Sequence, residues 1–154
     1  MLHLLKNLNI FRRPIRVLFQ NRDPSLWLGG DMGRLMKTKE TLDRSGVKSD
    51  FEFRCNVDLS NYDLVYLFNI NREWTIKQFR NAKKQNKPVI VSTIFNPNEG
   101  TMEGVIELAG YASKLICAAN LEAESLISYI GKEYKDKLVV LPRAIDRIFY
   151  KPRE

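Results

Sequence analysis

The chain is poor in the side chains that most enzymes use for nucleophilic or metal chemistry, with one histidine, His3, and two cysteines, Cys55 and Cys117, among 154 residues. A histidine so close to the terminus excludes a Ser/His/Asp or Cys/His arrangement in the body of the domain. The two cysteines are far apart and lack metal-ligand spacing, so they read as reduced thiols, with Cys117 buried in an apolar run. No metal site and no catalytic residue is assigned. No stretch approaches the roughly 20 apolar residues that span a bilayer. The opening MLHLLKNLNIFRRPIR has neither a long apolar core nor a small-residue cleavage site, so it is not a signal peptide.

Known phosphate-binding signatures are missing as well. Gly29, Gly30 and Gly33 are not spaced G-x-G-x-x-G, which argues against a nicotinamide or flavin dehydrogenase, and no G-x-x-x-x-G-K-[ST] is present. A response-regulator receiver would need a carboxylate at the end of the third strand, where Phe68-Asn69 stands. No cluster of Arg and Lys is interleaved with aromatics, so nucleic acid is not an expected partner.

What is present is a 44% hydrophobic chain of single-domain length, with net charge +7. Such a length buries a core without staples. The basic excess lies in the first 50 residues, which suits an anionic partner such as a membrane surface or a phosphorylated acceptor. Residues 1–14 read as a basic amphipathic extension, 15–142 as the domain and 143–154 as the start of a linker.

Strand-like runs alternate with amphipathic helical stretches. Strands are expected at 15–19, 47–53, 63–68, 88–94, 114–118 and 138–141. Helices are expected from Asp31 as N-cap, with Met32, Leu35, Met36 and Leu42 on one face, over 73–86, over 101–112 and over 121–134. The fold class is therefore α/β, a Rossmann-like open parallel sheet of about six strands with helices on both faces. The expected strand order is 3-2-1-4-5-6, which puts the ligand crevice between the first and fourth strands.

That rule selects loops at the carboxyl ends of the strands. Gly29 and Gly30 before a helix allow close backbone approach to an anionic group, although such a pair also serves ordinary turns. Asn69, Arg72, Asn96 and Asn120 are hydrogen-bonding groups suited to sugar hydroxyls or phosphate and ill suited to proton transfer. Each also reads as a turn former or cap, and for Asn120 the cap is preferred. Glu122 and Glu124 read as dipole partners of the last helix.

The runs GGDMGRLMKTKETLDRSGVKSDF, NYDLVYLFNI and FRNAKKQNKPVIVSTIFNP, followed by KLICAANLEAESL and VVLPRAIDRIFYKP, resemble the N-terminal domain of family 4 (group 1) glycosyltransferases. Residues 15–152 take part. The resemblance implies one half of a GT-B fold, in which this domain binds a sugar or lipid-linked acceptor. A second domain, in cis or in trans, binds most of the nucleotide-sugar donor, and transfer retains the anomeric configuration without a bound metal or other cofactor. It further implies a chain inactive alone, cytoplasmic or peripheral on the inner face of a membrane, with Gly29, Gly30 and Asn96 in the cleft and Asp31, Asn69, Arg72 and Asn120 near it. The same residues also suit a stand-alone, non-catalytic carbohydrate or glycolipid binding module. Two departures stand out: Thr93-Ile94-Phe95-Asn96 replaces a histidine-bearing T-x-H-D pattern, and Arg143-Ala144 replaces Asn-Gly.

Overall fold

A computed structural model describes residues 13–23, 25 and 30–142. The residue Gly29, most of the N-terminal extension and the linker 143–154 lie outside the described residues. Six strands form one parallel sheet: β1 (Arg16–Gln20), β2 (Lys48–Glu52), β3 (Leu64–Phe68), β4 (Val89–Ser92), β5 (Lys114–Cys117) and β6 (Leu138–Val140). The helices are α1 (Gly30–Arg44), α2 (Glu73–Lys84), α3 (Met102–Tyr111) and α4 (Asn120–Ile130), with a 3-10 turn at Lys132–Lys137. The result is an α/β protein with a Rossmann-like fold.

The strand order is β2-β1-β3-β4-β5-β6, which corrects the expected 3-2-1-4-5-6. Val17 is paired with Leu64 on one side and Ser49 on the other, so β3 lies directly beside β1. Burial explains the choice. The apolar β3, LVYLF, needs a neighbour and cover on both sides, whereas β2, KSDFE, carries charges that an edge strand tolerates. The point at which the order reverses is therefore between β1 and β3.

Right-handed crossovers divide the helices between the two faces. The leftward step from β1 to β2 places α1 on one face, where Met32 and Leu35 pack with Val17, Phe19 and Phe68. The rightward steps place α2, α3 and α4 on the other, where Phe79, Leu108 and Leu126 join Val65, Val91 and Leu115 in the larger core. Among the described residues no helix covers the α1 face over β4–β6. Leu141 at its upper edge is 54% exposed.

Local chemistry sets the helix ends. Thr101 caps α3 by accepting a hydrogen bond from Gly104 N at 3.3 Å. Asp31 does not cap α1, which starts one residue earlier. The expected apolar face of α1 holds at Met32 and Leu35, but Met36 is half exposed because only one side of the helix reaches the sheet. Tyr134 falls in the 3-10 turn beyond α4, which ends at Gly131 with φ +114. No described helix is long and apolar enough to cross a membrane.

Candidate functional site

Backbone geometry marks the carboxyl edge of the sheet. Asn69, just beyond β3, has φ +67, a left-handed conformation that its short amide tolerates, and its Oδ1 accepts Asn71 N at 3.2 Å. Ile94, just beyond β4, has φ +44. A β-branched residue there is a genuine outlier, at a cost of about 1–3 kcal/mol that neighbouring structure must offset.

The Glu122 carboxylate supplies that structure from the first turn of α4. It accepts the Thr93 hydroxyl at 2.6 Å, Phe95 N at 2.9 Å and Ala118 N at 2.7 Å. The residues on either side of Ile94 are thus tied to one side chain. The sequence reading of Glu122 as a dipole partner missed this, although a Glu at the third helical position is the known signal for reaching back to an amide.

A second clamp is Asn71, which lies between two expected site residues and was not singled out. Its Nδ2 donates to the carbonyls of Asn96 at 2.9 Å and Glu99 at 2.6 Å, and its Oδ1 accepts Asn96 N at 2.9 Å. The loop after β4 is therefore fixed to the loop after β3. Gly100, with φ +77, completes the turn where an added Cβ would collide with the Asn71 carbonyl.

Between these clamps lies a groove of two lobes that share Ile94, Ala118 and Glu122. The β3–β5 lobe, about 720 Å³, is lined by Asn69, Arg72, Phe95, Asn96, Glu99, Leu121 and Ser125. The α1 lobe, about 290 Å³, lies against the uncovered half of the sheet. Its wall is Arg34, Lys37, Thr38 and Thr41 of α1, and its floor includes Tyr66, Phe68, Ser92, Ile116 and Leu141.

Polar groups in the β3–β5 lobe are largely engaged. Arg72 is paired with Glu99 at 3.0 Å and lies over the Trp74 ring at 5.7 Å. Asn96 Nδ2 donates to Glu99 at 3.1 Å, while its Oδ1 accepts Asn98 N. Neither Asn69 Nδ2 nor Ser125 Oγ has a partner among the described residues. Phe95, set edge-on against Tyr129 at 5.1 Å, and the exposed Leu121 add apolar surface. In the α1 lobe, burial pushes the Tyr66 hydroxyl above its ordinary pKa, so it stays protonated in its 2.9 Å hydrogen bond with Ser92. Burial likewise raises the thiol of Cys117, as its expected interior position requires.

Of the residues selected from sequence, the groove brings together Asn69, Arg72 and Asn96. Asn120 is the first residue of α4 rather than its cap, which is Ala119, and it does not line the groove. Asp31 belongs to a separate half-buried cluster at the end of β1, paired with Arg22 at 3.2 Å and accepting from Asn21. Gly30 is the first residue of α1, and no described atom lies within 4 Å of where a Cβ on it would stand. Among the described residues no group of three His, Cys, Asp or Glu could hold a metal ion.

These features define a Rossmann-like α/β protein with a ligand-sized groove at the carboxyl edge of its sheet. The chain matches no family model and no curated protein.

Proposed function

We propose that this domain binds the acceptor in a retaining transfer of sugar from a nucleotide-sugar donor, with the donor held by a second domain in cis or in trans. The observation that carries the reading is the β3–β5 lobe. It sets Asn69 Nδ2 and Ser125 Oγ, which have no partner among the described residues, beside the apolar surface of Phe95 and Leu121. A sugar ring has the matching character, with hydroxyls at its edge and C–H groups on its face. The sequence resemblance supplies the reaction class, and stabilisation of the departing nucleotide is assigned to the donor domain.

A stand-alone carbohydrate-binding module is the second reading. It is favoured by the engagement of both lobe carboxylates, Glu99 by Arg72 and Asn96, and Glu122 by Thr93 and two backbone amides. Neither is set up as a free proton acceptor.

Amide NMR titration with neutral hexoses and nucleotide sugars tests the proposal. Hexoses are expected to shift Asn69, Asn96 and Ser125, and Asn69→Ala to weaken binding about tenfold, the loss of roughly one good hydrogen bond. Strong thermal stabilisation by a nucleotide sugar alone would contradict the division of labour between domains. Activity restored by adding a donor domain separates the enzyme from the binding module.

A further inference from the structure

In a parallel sheet each helix runs back against its strands. The last turns of α2, α3 and α4 therefore meet the starts of β4, β5 and β6 at the amino edge, opposite the groove. In the connections before β5 and β6, and at the end of α2, Lys84, Lys114, Lys132, Lys135 and Lys137 stand against Glu133 and Asp136. All but the half-buried Lys137 are exposed. Lys114 Nζ donates to the Asp136 carbonyl at 3.0 Å and Lys137 Nζ to the Ala109 carbonyl at 3.1 Å, which joins two of the connections into one surface. A carbonyl leaves the ammonium charge in place, and none of these five lysines is ion-paired with a carboxylate among the described residues. Beside them Arg80 and Lys83 share the single carboxylate of Glu107, while Lys87 lies near Asp58 and Asp63. The basic groups in the first 50 residues are placed differently. Arg13 is paired with Asp63 at 2.7 Å, Lys39 with Asp43 at 2.8 Å and Arg44 with Glu40.

We propose that the amino edge over β4–β6 docks on an anionic lipid surface. The charges there are ammonium groups, compact and without the planar fork that reads a single phosphate. Spread over the ends of three helices, they match a plane of negative charge, where each lysine adds to the attraction. Stable attachment of this kind takes a second, apolar signal. The described chain begins at Arg13 on the same edge, tied to Asp63 just before β3. The residues that precede it in the sequence include Leu2, Leu4, Leu5, Leu8, Ile10 and Phe11, with Lys6 and Arg12. Strands of four or five residues separate the two edges by about 15 Å, so docking in this way leaves the groove open and facing away from the lipid. The inference is independent of what the groove binds, and either can fail alone.

The test measures co-sedimentation of the full chain with vesicles of phosphatidylcholine alone or mixed with phosphatidylglycerol. The mixed vesicles are expected to bind the chain more tightly, and added salt to weaken that binding. The triple variant Lys84→Gln/Lys132→Gln/Lys135→Gln is expected to bind them at least about tenfold more weakly. A control, Lys39→Gln/Arg54→Gln/Lys77→Gln, removes the same charge from ion-paired positions and is expected to bind like the parent chain. Both variants are checked for their fold by near-ultraviolet circular dichroism. Nanodiscs with a spin-labelled headgroup are expected to broaden the amides of residues 84–87, 111–114 and 131–137 and to spare those of residues 93–100. Absence of a preference for phosphatidylglycerol overturns the proposal. So does an equal loss in the two variants, which assigns the binding to net charge, or broadening confined to residues 93–100, which puts the groove on the lipid. Tighter binding to duplex DNA or polyglutamate than to the mixed vesicles, at equal anion concentration, also overturns it in favour of a different anionic partner.

Discussion

The Glu122 carboxylate accepts the hydroxyl of Thr93 at 2.6 Å, joining the first turn of α4 to the end of β4 across the divide between the two lobes. Because it also holds Phe95 N and Ala118 N, the same group keeps Ile94 in its left-handed conformation. Glu122→Ala is expected to destabilise the fold by about 2 kcal/mol, since two amides lose their acceptor while Thr93 retains the Ile116 carbonyl at 3.2 Å. Glu122→Gln is expected to lose less. Urea unfolding of the two variants measures the difference.

Asn71→Ala removes three hydrogen bonds from a side chain in a residue only 4% exposed. A loss of about 2–3 kcal/mol is expected, with the carbonyls of Asn96 and Glu99 left short of a donor. Faster amide exchange confined to residues 96–100 locates the effect. Uniform acceleration across the chain contradicts the assignment of Asn71 as a clamp on that loop.

Gly100→Ala faces two penalties, the φ of +77 and contact with the Asn71 backbone. About 1–3 kcal/mol of destabilisation is expected. Combined with Asn71→Ala the two effects are expected to be less than additive, because both loosen the same turn. Thermal unfolding of the double variant against the single ones tests this.

Acid sensitivity has a named contributor outside the groove. Hydrogen bonds from Arg80, and then from Lys83, hold Glu107 below its ordinary value of 4.5. A carboxylate lowered by folding contributes stability that is fully present above that ordinary value. The contribution is lost as pH falls through the lowered folded value. Arg80→Gln is expected to bring the Glu107 titration, followed by side-chain NMR, back toward 4.5 and to make the protein less dependent on pH in that range.

How much of this was legible in the sequence varies with the kind of interaction. Cysteine burial at 117, the parallel sheet and the helix sites follow from short-range patterns, in which apolar runs and 3.6-residue spacing act within one element. The strand order differs from the one the sequence suggests, although its cause lies in the sequence: an uninterrupted LVYLF cannot sit at a sheet edge, whereas KSDFE can. Asn69, Arg72 and Asn96 were reachable because the carboxyl-edge rule selects their loops. Asn120 and Asp31 satisfied the same rule, but their side chains are directed by helix phase and by Arg22, which no spacing reveals.

The sequence by itself determined the alternation of strands and helices and a chemistry of amides and basic groups with no histidine in the body of the domain. Only the tertiary structure decided that β3 lies beside β1 and that Asn71 and Glu122 hold the groove. Those outcomes depend on contacts between residues 25 or more positions apart, as for Asn71 with Asn96, Thr93 with Glu122 and Val17 with Leu64. Such contacts are set by how the crossovers stack the strands, and local periodicity carries no record of them.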